Sequence, residues 1–155
     1  MLSIAIVAKT RGVGFAVLDD GELIDWGVKR FKGKLSDRRL AAYFLTLIDH
    51  EKIGIVVLPA DEKRLFRFGP EFVRELADRL EHFPVKIVRV GKADLASAFQ
   101  KLSREKIAIS ITERFPELQA HLPKKRRIWE SESAQMLLFD AVALSVAAGN
   151  HPDFL

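Results

Sequence analysis

The sequence has no cysteine. Neither a disulfide framework nor a thiolate metal centre is therefore available to it. It also lacks an apolar run long enough to span a bilayer. Its longest, Met136 to Ala148, is interrupted by Asp140 and falls short of the roughly 20 residues a spanning helix needs. The opening run Leu2 to Ala8 meets Lys9 at once, has no basic flank before it and reads as a buried strand rather than a signal segment. No membrane is expected as a partner, and the expected compartment is the cytoplasm. The histidines, His50, His82, His121 and His151, show no ligand spacing, and no catalytic triad is supported. Gly12 and Gly14 are not followed by the Lys-Ser or Lys-Thr pair of a phosphate loop, which argues against nucleotide binding there. Internal repeats and low-complexity linkers are absent.

What remains is the composition of an ordinary globular chain. Of 155 residues, 48% are hydrophobic and 30% charged, a balance that suits one folded domain over residues 1–155. A net charge of +4 and a pI near 9.5 lean towards polyanionic partners.

The order of elements can be read from periodicity and turn chemistry. Residues 3–8 are almost wholly apolar, as a central strand would be. Phe15 to Leu18 follows as a second strand. Asp19-Asp20-Gly21 is a tight-hairpin signal, and an alternating third strand runs from Glu22 to Arg30. Ser36 or Asp37 can cap a helix whose stripe is Leu40, Tyr43, Phe44, Leu47 and Ile48. Ile53 to Leu58 is a β-branched strand closed by Pro59. Gly69-Pro70 opens another helix, and Val85 to Val90 forms a fifth strand. Helical spacing returns through Leu95, Ala98 and Phe99, again through Ile107, Ile111 and Phe115, and last in the helix that holds Asp140. Parallel neighbours need long crossovers, so the fourth and fifth strands are expected parallel to the first. The predicted architecture is α/β: a five-stranded mixed sheet, βββ-α-β-α-β-α, with helices on both faces.

That order, with the stretch IVAKTRGVGFAVLDDG from Ile6 to Gly21, resembles the RuvC-like proteins of the RNase H-like superfamily. Their opening is an apolar strand followed by Asp-x-Gly-x-x-x-x-Gly-x-Ala-Val. Asp25-Trp26-Gly27-Val28, Trp129-Glu130-Ser131-Glu132 and Phe139-Asp140-Ala141-Val142-Ala143-Leu144 look like a small bacterial subgroup of these proteins. The resemblance covers almost the whole chain. It implies a metal-dependent nuclease ancestry, in which carboxylates of the first strand, the end of the fourth strand and the last helix hold two divalent cations. It also implies nucleic acid, DNA or RNA and branched forms included, as the partner; whether the chain acts as a homodimer stays open.

Carried over residue by residue, the acidic pattern is degenerate. The first-strand aspartate falls on Val7 and the fourth-strand acid on Leu58 or Pro59. Only the last-helix acid survives, as Asp140. Catalysis would then have to draw on Asp140, Glu132 and Asp61, with Mg2+ or Mn2+ as cofactor only in that case. Against this, Glu132 suits a first helical turn, and Asp61 and Glu62 beside Lys63 and Arg64 suit a solvated loop. Lys124, Lys125, Arg126 and Arg127, with Trp129 to stack on a base or sugar, are the candidate phosphate contacts, joined by Arg64 and Arg67. The opposing reading makes these solubility charges and Trp129 a core plug. Asp140 lies in a helix apolar nearly all round and needs a compensating group. Lys9 shares strand parity with Val7 and is the candidate substitute for the metal's charge, with Arg11 behind it. The alternative leaves Lys9 in solvent and Asp140 bonded to backbone amides or a hydroxyl. The expected function is thus nucleic-acid binding with most of the nuclease site lost. A structural or protein-interaction module and a nuclease with a rearranged acidic site remain the alternatives.

Overall fold

The computed structural model describes residues 1–9, 12–30, 37–60, 69–123, 135–150 and 154. Asp61, Arg64, Arg67, Lys124, Lys125, Arg126, Arg127, Trp129, Glu132 and the reserve candidate Arg11 all lie outside these residues.

Three antiparallel strands come first: β1 (Leu2–Lys9), β2 (Gly12–Asp19) and β3 (Glu22–Arg30). The turn between β2 and β3 places Asp20 at φ 48° and Gly21 at φ 89°, the paired positive angles that a two-residue hairpin requires. Helix α1 (Asp37–His50) leads to β4 (Ile55–Pro59), and α2 (Gly69–Leu80) leads to β5 (Lys86–Val90). Both of these strands run parallel, β4 beside β1 and β5 beside β4, in the sheet order β3-β2-β1-β4-β5. The fourth and fifth strands start two and one residues later than periodicity suggests; the Ile53 amide still bonds back to the Ile48 carbonyl of α1, whereas the Gly54 backbone bonds to Leu2 and Lys86 at the edge of the ladders.

After β5 the chain forms α3 (Lys92–Ala98), α4 (Arg104–Arg114), a 3-10 turn over Pro116–His121, and α5 (Met136–Ala148). Gln100 and Lys101 both adopt positive φ, which separates α3 from α4. The Ser103 hydroxyl then accepts from the Lys106 amide and caps α4. The sheet, the crossovers and the helices on both faces give the α/β RNase H-like topology expected from the element order.

Two layers of packing flank the sheet. On one side Phe15 of β2 meets Phe44 of α1 edge to face, and Phe44 meets Phe72 of α2. On the other side lies α5, in which every residue except Asp140 and Val146 is buried. Gly14 adjoins Phe15 and so faces the α5 side. A β-carbon at Gly14 would come within 2.1 Å of the Leu137 carbonyl oxygen, which is backbone and cannot step aside as a side chain could. The missing side chain at residue 14 sets how closely α5 lies on the sheet. Gly14→Ala should therefore cost about 3 kcal/mol or more, the upper end of overpacking penalties. Urea unfolding of the variant checks this; a loss below about 0.5 kcal/mol would mean that α5 is not held at this distance.

Candidate functional site

Val7 pairs with Gly14, and Lys9 follows two residues on, so both side chains leave β1 on the face that α5 covers. Pro59 closes β4 on the same side, whereas Leu58 points through the other face of the sheet and is fully buried. α5 brings Phe139, Asp140, Ala143 and Leu144 over these strand ends. Leu95 of α3 and Arg104 and Ile107 of α4 complete the lining of a cleft of about 230 Å3. The three positions that the resemblance marks for carboxylates thus converge, as Val7, Pro59 and Asp140. Two of the three side chains carry no oxygen.

Asp140 is held by Arg104. Nε of Arg104 donates to Oδ1 at 3.2 Å and Nη2 donates to Oδ2, a two-pronged contact that matches the planes of the two groups. Lys9 Nζ lies 3.6 Å from Oδ2, an ion pair at the long end of direct contact. The side chains of Lys9, Asp140 and Arg104 are 29%, 21% and 38% exposed. Among the described residues, the partners of this carboxylate are therefore side-chain cations and not backbone amides. Among the described residues of the cleft, two cations face one carboxylate.

Arg104 was not singled out by sequence reasoning, although a signal existed. It occupies the first position of α4, directly after the Ser103 cap, where a positive charge opposes the helix dipole. A cation placed there invites the question of which anion it serves. The answer lies 36 residues along the chain, which no local pattern reveals.

A pair of divalent cations does not fit the described residues. Hard cations need several oxygen ligands at roughly 2.0 to 2.6 Å. Here one carboxylate is available and both its oxygens are engaged by cationic side chains. No group of three or more His, Asp or Glu side chains suited to a metal occurs among the described residues. Nor is any helix among them long and apolar enough to cross a membrane.

The geometry ranks the two contacts of Asp140. The forked Arg104 contact should couple to Asp140 by about 1 to 2 kcal/mol, and the longer, partly exposed Lys9 contact by less than about 1 kcal/mol. Double-mutant cycles in urea, Arg104→Met with Asp140→Asn and Lys9→Met with Asp140→Asn, measure both. Coupling near zero in the Arg104 cycle would show that the pair does not hold α4 to α5.

No family model matches the sequence, and no curated protein matches it. Solved structures do. RuvC of T. thermophilus in complex with a Holliday junction substrate superposes with a TM-score of 0.66 at 14% identity, covering 96% of this chain and 92% of that one. A second Thermus thermophilus RuvC structure gives a TM-score of 0.67 at 13% identity, over 96% and 93% of the two chains. The chain has a RuvC-like, RNase H-like fold, distant in sequence from both of these structures.

Proposed function

We propose that this protein binds nucleic acid through a cationic cleft and does not hydrolyse it by two-metal chemistry. The observation that carries the reading is the charge pattern at the converging strand ends. Val7 and Pro59 stand where the resemblance puts two of the carboxylates, and Arg104 and Lys9 pair with Asp140, where it puts the third. A two-metal centre uses surplus negative charge to fix cations, which in turn hold a phosphate. Here positive side chains stand beside the remaining carboxylate, with Lys9 and Arg104 in place of the metal's charge, and can meet a phosphate directly. The fold likeness to a RuvC solved with a Holliday junction makes a branched substrate the first to test. The net charge of +4 agrees in sign. Lys124, Lys125, Arg126 and Arg127, with Trp129, Arg64 and Arg67, are proposed as further contacts to the nucleic acid.

Pure protein should give no multiple-turnover cleavage of four-way, forked or single-stranded DNA and RNA in magnesium or manganese. It should bind these substrates equally well in EDTA and in magnesium at matched ionic strength. Asp140→Asn removes a negative charge beside the bound phosphate and should leave affinity unchanged or raised, whereas a metal-held site would lose it. Replacing Lys124, Lys125, Arg126 and Arg127 by Ala should lower the log–log salt slope by roughly 0.7 to 0.9 for each phosphate that is no longer neutralised. Cleavage that vanishes in Asp140→Asn would establish instead a nuclease with a rearranged acidic site drawing on Asp61 and Glu132. Absence of binding at low salt would overturn the reading and favour a structural or protein-interaction module.

A further inference from the structure

The cleft is more apolar than phosphate binding requires. Among the described residues, its walls beyond Lys9, Arg104 and Asp140 are aliphatic and aromatic, with Val7, Pro59, Leu95, Phe139 and Leu144 among them. A site for a diester alone needs donors and charge and gains nothing from such walls. The ion pairs of Asp140 lie beside these walls, so the cleft presents cations and a carboxylate next to an apolar recess.

Size narrows the occupant. An apolar cavity of about 150 Å3 takes benzene, and pockets for drug-sized molecules begin near 300 Å3. The cleft, at about 230 Å3, lies between the two and suits one flat heterocycle. Its polar groups suit the same ligand. A carboxylate has about four lone-pair directions, so Asp140 keeps acceptor capacity beside its two Arg104 bonds and can take an amino or imino N–H of a base edge. Lys9 and Arg104 put positive charge at the same recess.

We infer that the cleft receives a single unstacked nucleobase of the bound nucleic acid, its ring between the apolar walls and its flanking phosphate on Lys9 and Arg104. The inference rests on the nucleic-acid reading above and names which part of the polymer the site takes. The former metal position becomes a base pocket. Branch points and single strands offer such a base at low cost, since extrusion from an intact duplex requires unpairing and unstacking of a few kcal/mol. The pocket therefore gives preference for branched over fully paired DNA without reading sequence at length.

The test uses the full chain and a forked DNA carrying 2-aminopurine as an unpaired nucleotide at the branch. Binding should raise its fluorescence as the base leaves the stack. An abasic nucleotide at the same place should bind about tenfold more weakly, within the range expected when one stacked base is removed. Ala143→Leu adds bulk to the recess and should abolish the fluorescence rise and the preference for fork over duplex. Should that variant fail to fold, the abasic comparison on the unaltered protein decides alone. If the fork binds but 2-aminopurine stays quenched and the abasic fork binds equally well, the base pocket is wrong while nucleic-acid binding stands. If no DNA binds at all, the nucleic-acid reading fails and the base pocket fails with it.

Discussion

A carboxylate sits in the middle of a helix that is otherwise built to be hidden, and much of the site follows from accommodating it. Around Asp140, α5 presents Met, Leu, Phe, Val and Ala on every side, and its neighbours in sequence are buried. Burying an unpaired carboxylate would cost several kcal/mol, roughly, which is comparable to the whole stability of a small domain. Asp140 avoids that cost in two ways. It keeps a fifth of its side-chain surface in the cleft, and it draws Arg104 from α4 and Lys9 from β1 to itself. The ion pairs thereby join three elements that are distant in the chain. Gly14 makes this possible from beneath, because its lack of a side chain lets α5 settle against β2 at the Leu137 carbonyl.

The same constraint shapes the cleft that is proposed to take nucleic acid. With Val7 and Pro59 in place of oxygen donors, the remaining carboxylate would repel a phosphate unless its charge were offset. Arg104 and Lys9 offset it and leave a positive balance among the described residues. A diester can then be met without a bridging ion. The proposed lack of hydrolysis and the proposed binding would then share one electrostatic cause.

The sheet was legible in the sequence because each of its parts has a local signature. Asp20-Gly21 states the hairpin, the apolar run of β1 states a central strand, and the long helical crossovers state the parallel pairs. Asp140 was legible as an exception within an apolar period. The parity of Val7 and Lys9 on a strand was enough to name Lys9 as a candidate neighbour. Arg104 was not reached, because its partner lies across a tertiary contact and its own helix carries only the indirect sign of a cation at the wrong end of a dipole. The 3-10 turn over Pro116–His121 also escaped, since Pro116 ends α4 without announcing a short helix after it. The apolar character of the cleft escaped as well. Leu95, Ile107 and Leu144 read as ordinary core positions, and only their meeting shows that they line an opening.

The central claim is that Arg104 and Lys9, rather than divalent cations, now neutralise Asp140. Its most direct measurement is a manganese soak of crystals, read by anomalous diffraction. The account predicts no manganese at Asp140, with Arg104 still paired to both carboxylate oxygens. A manganese ion coordinated by Asp140, with Arg104 swung away, would contradict it.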